Sequence, residues 1–219
     1  LKELPLEAPI WSLPVQAIGF SPEHASFPGT LSLTSKWLIS LVVQLGEQLA
    51  AMGWTRLVLF NAHGGQIALL QVAARELRHR CPGLAVLPCF LWSGVDGLAS
   101  LIPEPELSDG LHAGLAETSL MQHLAPPLVD EARSVDGLRV SAPSHMAPPG
   151  WSLEGAAPCA WLTSDLSCSG VIGDSRGASP ELGAALEALL IQHWTQMLQT
   201  LLDSDWPPRP GSTAGSSAS

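Results

Sequence analysis

The sequence predicts an α/β fold with a mostly parallel sheet. Two observations carry that expectation. Short apolar runs alternate with longer amphipathic segments in the order strand–helix–strand–helix–strand. The central run "TRLVLF" (55–60) lacks polar alternation, as a strand covered on both faces of a parallel sheet does, and right-handed crossovers would join such strands.

The elements follow in chain order. "IWSLPVQAIGF" (10–20) reads as an apolar strand, and "SPEHASFPGTLSL" (21–33) has the Pro, Gly and Ser of a loop. "TSKWLISLVVQLGEQLAAMGW" (34–54) places Trp37, Leu38, Leu41, Val42, Leu45 and Leu49 on a helical period, with Ser32 or Thr34 as N-cap and Gly53 as the stop. After strand 55–60, "GQIALLQVAARELRHR" (65–80) is a second amphipathic helix. Its Arg75, Arg78 and Arg80 complement the negative C-terminal end of the helix dipole. "GLAVLPCFLW" (83–92) is a third strand. Residues 93–110 read as loop, and "HAGLAETSLMQHL" (112–124) as a helix ended by Pro126-Pro127. Residues 130–170 show no regular period, and "GVIGDSRGAS" (170–179) is a glycine-punctuated turn. "SPELGAALEALLIQHWTQMLQTLL" (179–202) is a long helix with Ser179 as N-cap, Pro180 at its first position and Glu181 in the first turn. Residues 1–202 are expected to form one domain and 203–219 a disordered low-complexity tail.

Bulk properties narrow the function classes. Hydrophobic residues make up 46% of the 219, against 14% charged, a globular composition. A net charge of -10 argues against nucleic-acid and anionic-membrane partners, which want a basic surface. Cys81, Cys89, Cys159 and Cys168 form no C-x-x-C pair and are expected to be reduced thiols of a cytoplasmic protein. Pro5, Pro9 and Pro14 interrupt any signal-peptide core, and no apolar run has the length of a membrane span.

The chemistry-bearing residues gather in a few stretches. Asn61 and His63 follow strand 55–60 directly, on the carboxyl edge where open sheets bind ligands. Gly64 and Gly65 then open a helix, and a neutral imidazole there suits metal ligation or proton transfer. Equally, a strand-to-helix turn can need glycine for its own sake. His112, Glu117 and Thr118 sit together in "HAGLAETS"; on a helix, His112 and Glu117 would be about 140° apart around the axis. An imidazole near a carboxylate suits general acid–base work or ligation. Glu23 and His24 add a second such pair in a loop. Asp174 and Arg176 read as an ion pair within a turn, and His79, His123, His145 and His193 as structural or surface residues. Trp92 and Trp151 are candidates for a lid.

"GFSPEHASFPGTLSL", "LVLFNAHGGQ", "HAGLAETSLM" and "GVIGDSRGAS", in this order, resemble the creatininase (creatinine amidohydrolase) family over roughly residues 10 to 200. The resemblance implies a three-layer α/β/α fold around a mostly parallel sheet, assembled as a homo-hexamer. It implies a divalent-metal centre (zinc, with manganese or iron as alternatives) that activates water against a cyclic amide or formamide. It makes His63 a metal ligand, His112 the catalytic proton shuttle to the leaving nitrogen, and Glu117 a ligand of a second metal. Asn61, Gly64, Gly65, Glu23 and His24 would support the substrate and the loops. The chain departs from the family pattern at Ala62 and Gln66, at Leu115 where an acidic residue is common, and at Gly65 where creatininase has a glutamate. The family's amino-terminal Glu-x-His pair and metal-bridging Asp have no counterpart in residues 1–9. With Leu1 in first place, the chain is therefore expected to be amino-terminally incomplete. Two other classes fit less of the sequence: a family relative that has lost its metal site and serves in assembly, and a nucleotide-binding module using Gly64-Gly65 without the usual phosphate-loop pattern.

Overall fold

A computed structural model describes residues 2–5, 7–137, 148–154 and 157–207. They form two compact units, one built from the chain up to Phe20, Leu33–Ser93 and the segment from Thr195 on, the other from Ser21–Ser32 and Gly94–Trp194.

The first unit holds the sheet. Helix α1 (Ser35–Ala51) starts where the Thr34 hydroxyl accepts the Trp37 N–H at 3.4 Å, so Thr34 is the N-cap. It stops before Gly53, whose φ of 92° suits glycine. Strand β1 (Arg56–Asn61) leads to α2 (Ile67–Arg80), which returns the chain to β2 (Ala85–Phe90). The two strands pair in parallel, from Arg56 opposite Ala85 to Asn61 opposite Phe90. Leu38 and Val42 of α1 meet Leu70 and Ala73 of α2, with Leu59 of β1 against them. Val43, Leu77 and Leu84 form a second cluster. Gly46 belongs to this contact, because a β-carbon there would overlap the buried Leu77 side chain. Arg56 binds the carbonyls of Ser204 and Trp206, both at 2.5 Å, which fastens the chain after the last helix to the start of β1. The expected tail beyond Pro207 lies outside the described residues.

Two strand expectations are corrected here. Residues 10–20 are not a strand, and Trp11 and Val15 stand 80% and 91% exposed. An apolar run becomes a strand only with a ladder partner, and Pro14 lacks the N–H that a ladder needs. Strand β1 is half-buried rather than covered on both faces, with Phe60 53% exposed.

The second unit carries α3 (Glu104–Asp109), α4 (Leu115–Leu124), α5 (Thr163–Leu166) and the first part of α6 (Pro180–Leu202). Ser179 caps α6 as expected, its hydroxyl accepting the Leu182 N–H at 3.1 Å. Gly183 lets α6 approach α4, where a β-carbon would strike the Ser119 carbonyl. Helix α4 begins at Leu115 rather than His112, so the helical spacing expected between His112 and Glu117 does not apply. Helix α3 corrects the loop expected over 93–110, and α5 lies in the stretch 130–170 that showed no regular period; both are too short to display one. No described helix is long and apolar enough to cross a membrane.

Candidate active site

In the first unit, β1 delivers Asn61 buried at its carboxyl end. The Asn61 side chain folds over the next residues. Its Oδ1 accepts the His63 N–H at 3.0 Å, and its Nδ2 donates to the His63 carbonyl at 2.7 Å. Such a side chain-to-backbone loop is how asparagine builds a turn. Gly64 and Gly65 form a short 3-10 turn with Gln66 that opens α2. Gln66 Nε2 donates to Asn61 Oδ1 at 2.8 Å, and its Oε1 accepts the Phe20 N–H at 3.1 Å. This fit requires Gly19, since a β-carbon there would overlap the Gln66 amide. The Asn61 amide therefore holds the His63 backbone at both its N–H and its carbonyl, and Gln66 braces Asn61 in turn. Gln66, noticed in the sequence only as a departure, is one of the two braces.

The second unit gathers Glu23, His24, Thr163, His112 and Glu117. Glu23 and His24 lie in a single 3-10 turn (Pro22–His24), in a loop closed by the Ser21 N–H on the Ser32 hydroxyl at 2.8 Å. His24 is buried, with its Nε2 3.5 Å from Glu23 Oε1. Thr163, fully buried at the start of α5, holds His24 Nδ1 through its Oγ1 at 2.5 Å. The His24 ring stacks on His112, with centroids 3.9 Å apart and planes 29° apart.

His112 itself stands in an extended bridge to Ile172, its N–H donating to the Ile172 carbonyl at 3.0 Å and its carbonyl accepting at 2.8 Å. The next residue, Ala113, has a φ of 52°, a left-handed conformation that a non-glycine residue adopts at a cost. Side chains from the following helix hold it there. Glu117 Oε2 accepts the Ala113 N–H at 2.6 Å, and Thr118 Oγ1 donates to the Ala113 carbonyl at 3.0 Å. Glu106 braces the same turn from α3, taking the Leu115 N–H at 2.8 Å on one oxygen and the Asp174 N–H on the other.

Sequence reading missed Thr163 and Glu106. Neither belongs to a motif, and each acts on residues distant in the chain. The remaining polar residues are structural. Arg176 grips Asp174 at 2.7 and 2.9 Å and Asp136 at 2.8 Å, and these hydrogen bonds hold its guanidinium above its ordinary pKa. His123 bonds Glu187 at 2.9 Å between α4 and α6. His193 packs edge-on against Trp194. Trp151 is exposed, and His145 lies outside the described residues. All four cysteines are free.

Imidazole nitrogens, as at His63 in the first unit, and carboxylate oxygens, as at Glu23 in the second, are ligand types that zinc and manganese accept. By donor type, each of these side chains suits a divalent ion.

Comparison with known proteins places the chain among its relatives. The family model described as creatinine amidohydrolase matches residues 1–198. The mycofactocin precursor peptide peptidase of Mycobacterium tuberculosis is 30% identical over 95% of this chain and 72% of its own. The creatinine amidohydrolase of Pseudomonas putida is 31% identical over 83% of this chain and 68% of its own. A crystal structure of creatininase superposes with a TM-score of 0.66 at 28% identity, covering 85% of this chain and 73% of that one. Manganese and zinc–zinc forms of creatininase are also similar, at TM-scores of 0.62 and 0.60 and 29% and 28% identity, each covering 81% of this chain and 68% of the other. The α/β fold, the ordered motifs and these relatives agree: the chain belongs to the creatininase family of hydrolases.

Proposed function

We propose that this protein is a metal-dependent amidohydrolase that cleaves a C–N bond in a cyclic amide, a formamide or a short peptide. The observation that carries the reading is the braced His112 turn. The histidine stands in strand-like backbone, and the left-handed residue after it, Ala113, is held by Glu117 and Thr118. Such an investment in one imidazole suits a group that must meet a reacting atom at a set angle.

His63 would serve as a metal ligand, and Glu117, one of whose oxygens is oriented by the Ala113 N–H, would offer its carboxylate to a second metal. A divalent ion, when bound, lowers the pKa of water and polarises the scissile carbonyl. Every other contribution belongs to the chain. His112 passes a proton to the departing nitrogen. Glu117, Thr118 and Glu106 keep its turn in place. Asn61 and Gln66 keep the His63 backbone in place. A homo-hexamer, the assembly the motif resemblance implies, is part of this reading, and a cytoplasmic setting suits the four free thiols.

The test is hydrolysis of creatinine, an N-formyl amino acid and a short peptide, with zinc or manganese supplied and then chelated. Metal-dependent release of the amine from one of the three is expected. A folded protein that binds neither metal and cleaves none of them would instead be a family relative without a metal site.

A further inference from the structure

We propose that Thr163 is a positioning residue: its hydroxyl locks the ring of His24, and that ring sets the plane of His112. The proposal rests on reading His112 as the proton donor. His24 is bonded through Nδ1 and faces a carboxylate at Nε2. Thr163 Oγ1 and His24 Nδ1 share a hydrogen bond, while the Glu23 carboxylate lies 3.5 Å from Nε2 on the other side of the ring. That hydroxyl is fully buried and only 2.5 Å from Nδ1, while His24 is only 8% exposed, so solvent does not compete for the bond. Thr163 is itself fixed as the first residue of α5, which is closed by the Leu162 N–H on Asp165 Oδ2 at 2.7 Å. With its ring plane set, His24 presents a flat face to His112, and offset stacking at 3.9 Å resists rotation of the second ring. The line Thr163–His24–His112 thus converts a buried hydrogen bond into the orientation of an imidazole whose own backbone is already braced.

Thr163→Val removes the hydroxyl and keeps the shape, while Thr163→Ser keeps the hydroxyl. Histidine-selective nitrogen and carbon NMR on the whole protein reports ring tautomer and ring-current shifts without any substrate. In Thr163→Val, the His24 Nδ1 resonance and the His112 ring-proton shifts are expected to move; in Thr163→Ser, both should stay near the wild type. On whichever of creatinine, the N-formyl amino acid or the peptide the wild type cleaves, Thr163→Val should lower kcat about tenfold with KM unchanged, and Thr163→Ser should restore it. Histidine resonances in Thr163→Val that match the wild type would overturn the proposal. Moved resonances with an unchanged kcat would overturn its catalytic half. His112→Ala separates the causes: if that variant loses rate, only the positioning role fails; if it keeps rate, the proton-donor reading has failed.

Discussion

His24 and His112, from separate stretches of the chain, stack ring on ring at 3.9 Å. One ring is buried and bonded to Thr163, and the other stands just before a braced turn. If His112 is the proton donor, His112→Ala should lower kcat by about 10²- to 10⁴-fold, the usual worth of a general acid. Elemental analysis of the same variant should find the wild-type metal content.

His63→Ala should show the opposite pairing, losing metal and activity together. Zinc titration by calorimetry checks it. Retention of wild-type zinc affinity would remove His63 from the ligand set.

Glu106 accepts two backbone N–H groups, from Leu115 and Asp174. Glu106→Ala leaves both without that acceptor, so a loss of about 2–4 kcal/mol is expected in urea unfolding. Glu106→Gln, which keeps one acceptor oxygen, should lose less.

Two glycines test helix packing. At Gly183 an added β-carbon meets the Ser119 carbonyl, which is backbone and cannot step aside. At Gly46 it meets Leu77, a side chain, and alanine also improves the helix. Gly183→Ala should therefore destabilise more than Gly46→Ala, within about 1–3 kcal/mol for overpacking. Paired urea curves decide the order.

Burial raises the Cys89 thiol above its ordinary pKa, because the thiolate would lose hydration. The folded state thus holds the Cys89 proton more tightly, and its thiolate fraction rises only at higher pH. Iodoacetamide at mildly alkaline pH should modify exposed Cys168 before Cys89, with the gap narrowing as pH increases. Peptide mass spectrometry of the alkylated protein reads both sites.

Much of this was legible in the residues alone. Periodicity located α1, α2 and α6, since an amphipathic stripe is a property of consecutive residues. The run 55–60, with Asn61 and His63 just beyond it, marked a sheet edge, and the ordered motifs marked the family. Periodicity failed where partners decide. Residues 10–20 have the composition of a strand, yet strand formation depends on a neighbour's backbone, and Pro14 denies it one donor. The start of α4 was misplaced because Glu106, nine residues earlier, takes the Leu115 N–H.

By itself, then, the sequence determined the α/β class, the principal helices and the identity of the chemistry-bearing side chains, all of which follow from local pattern. Only the tertiary structure decided that Ala113 is left-handed, that Glu117 clamps it, and that Thr163 reaches His24 and His24 covers His112. Hydrogen bonds and ring contacts between distant segments depend on distances in space, and those exist only once the chain has folded.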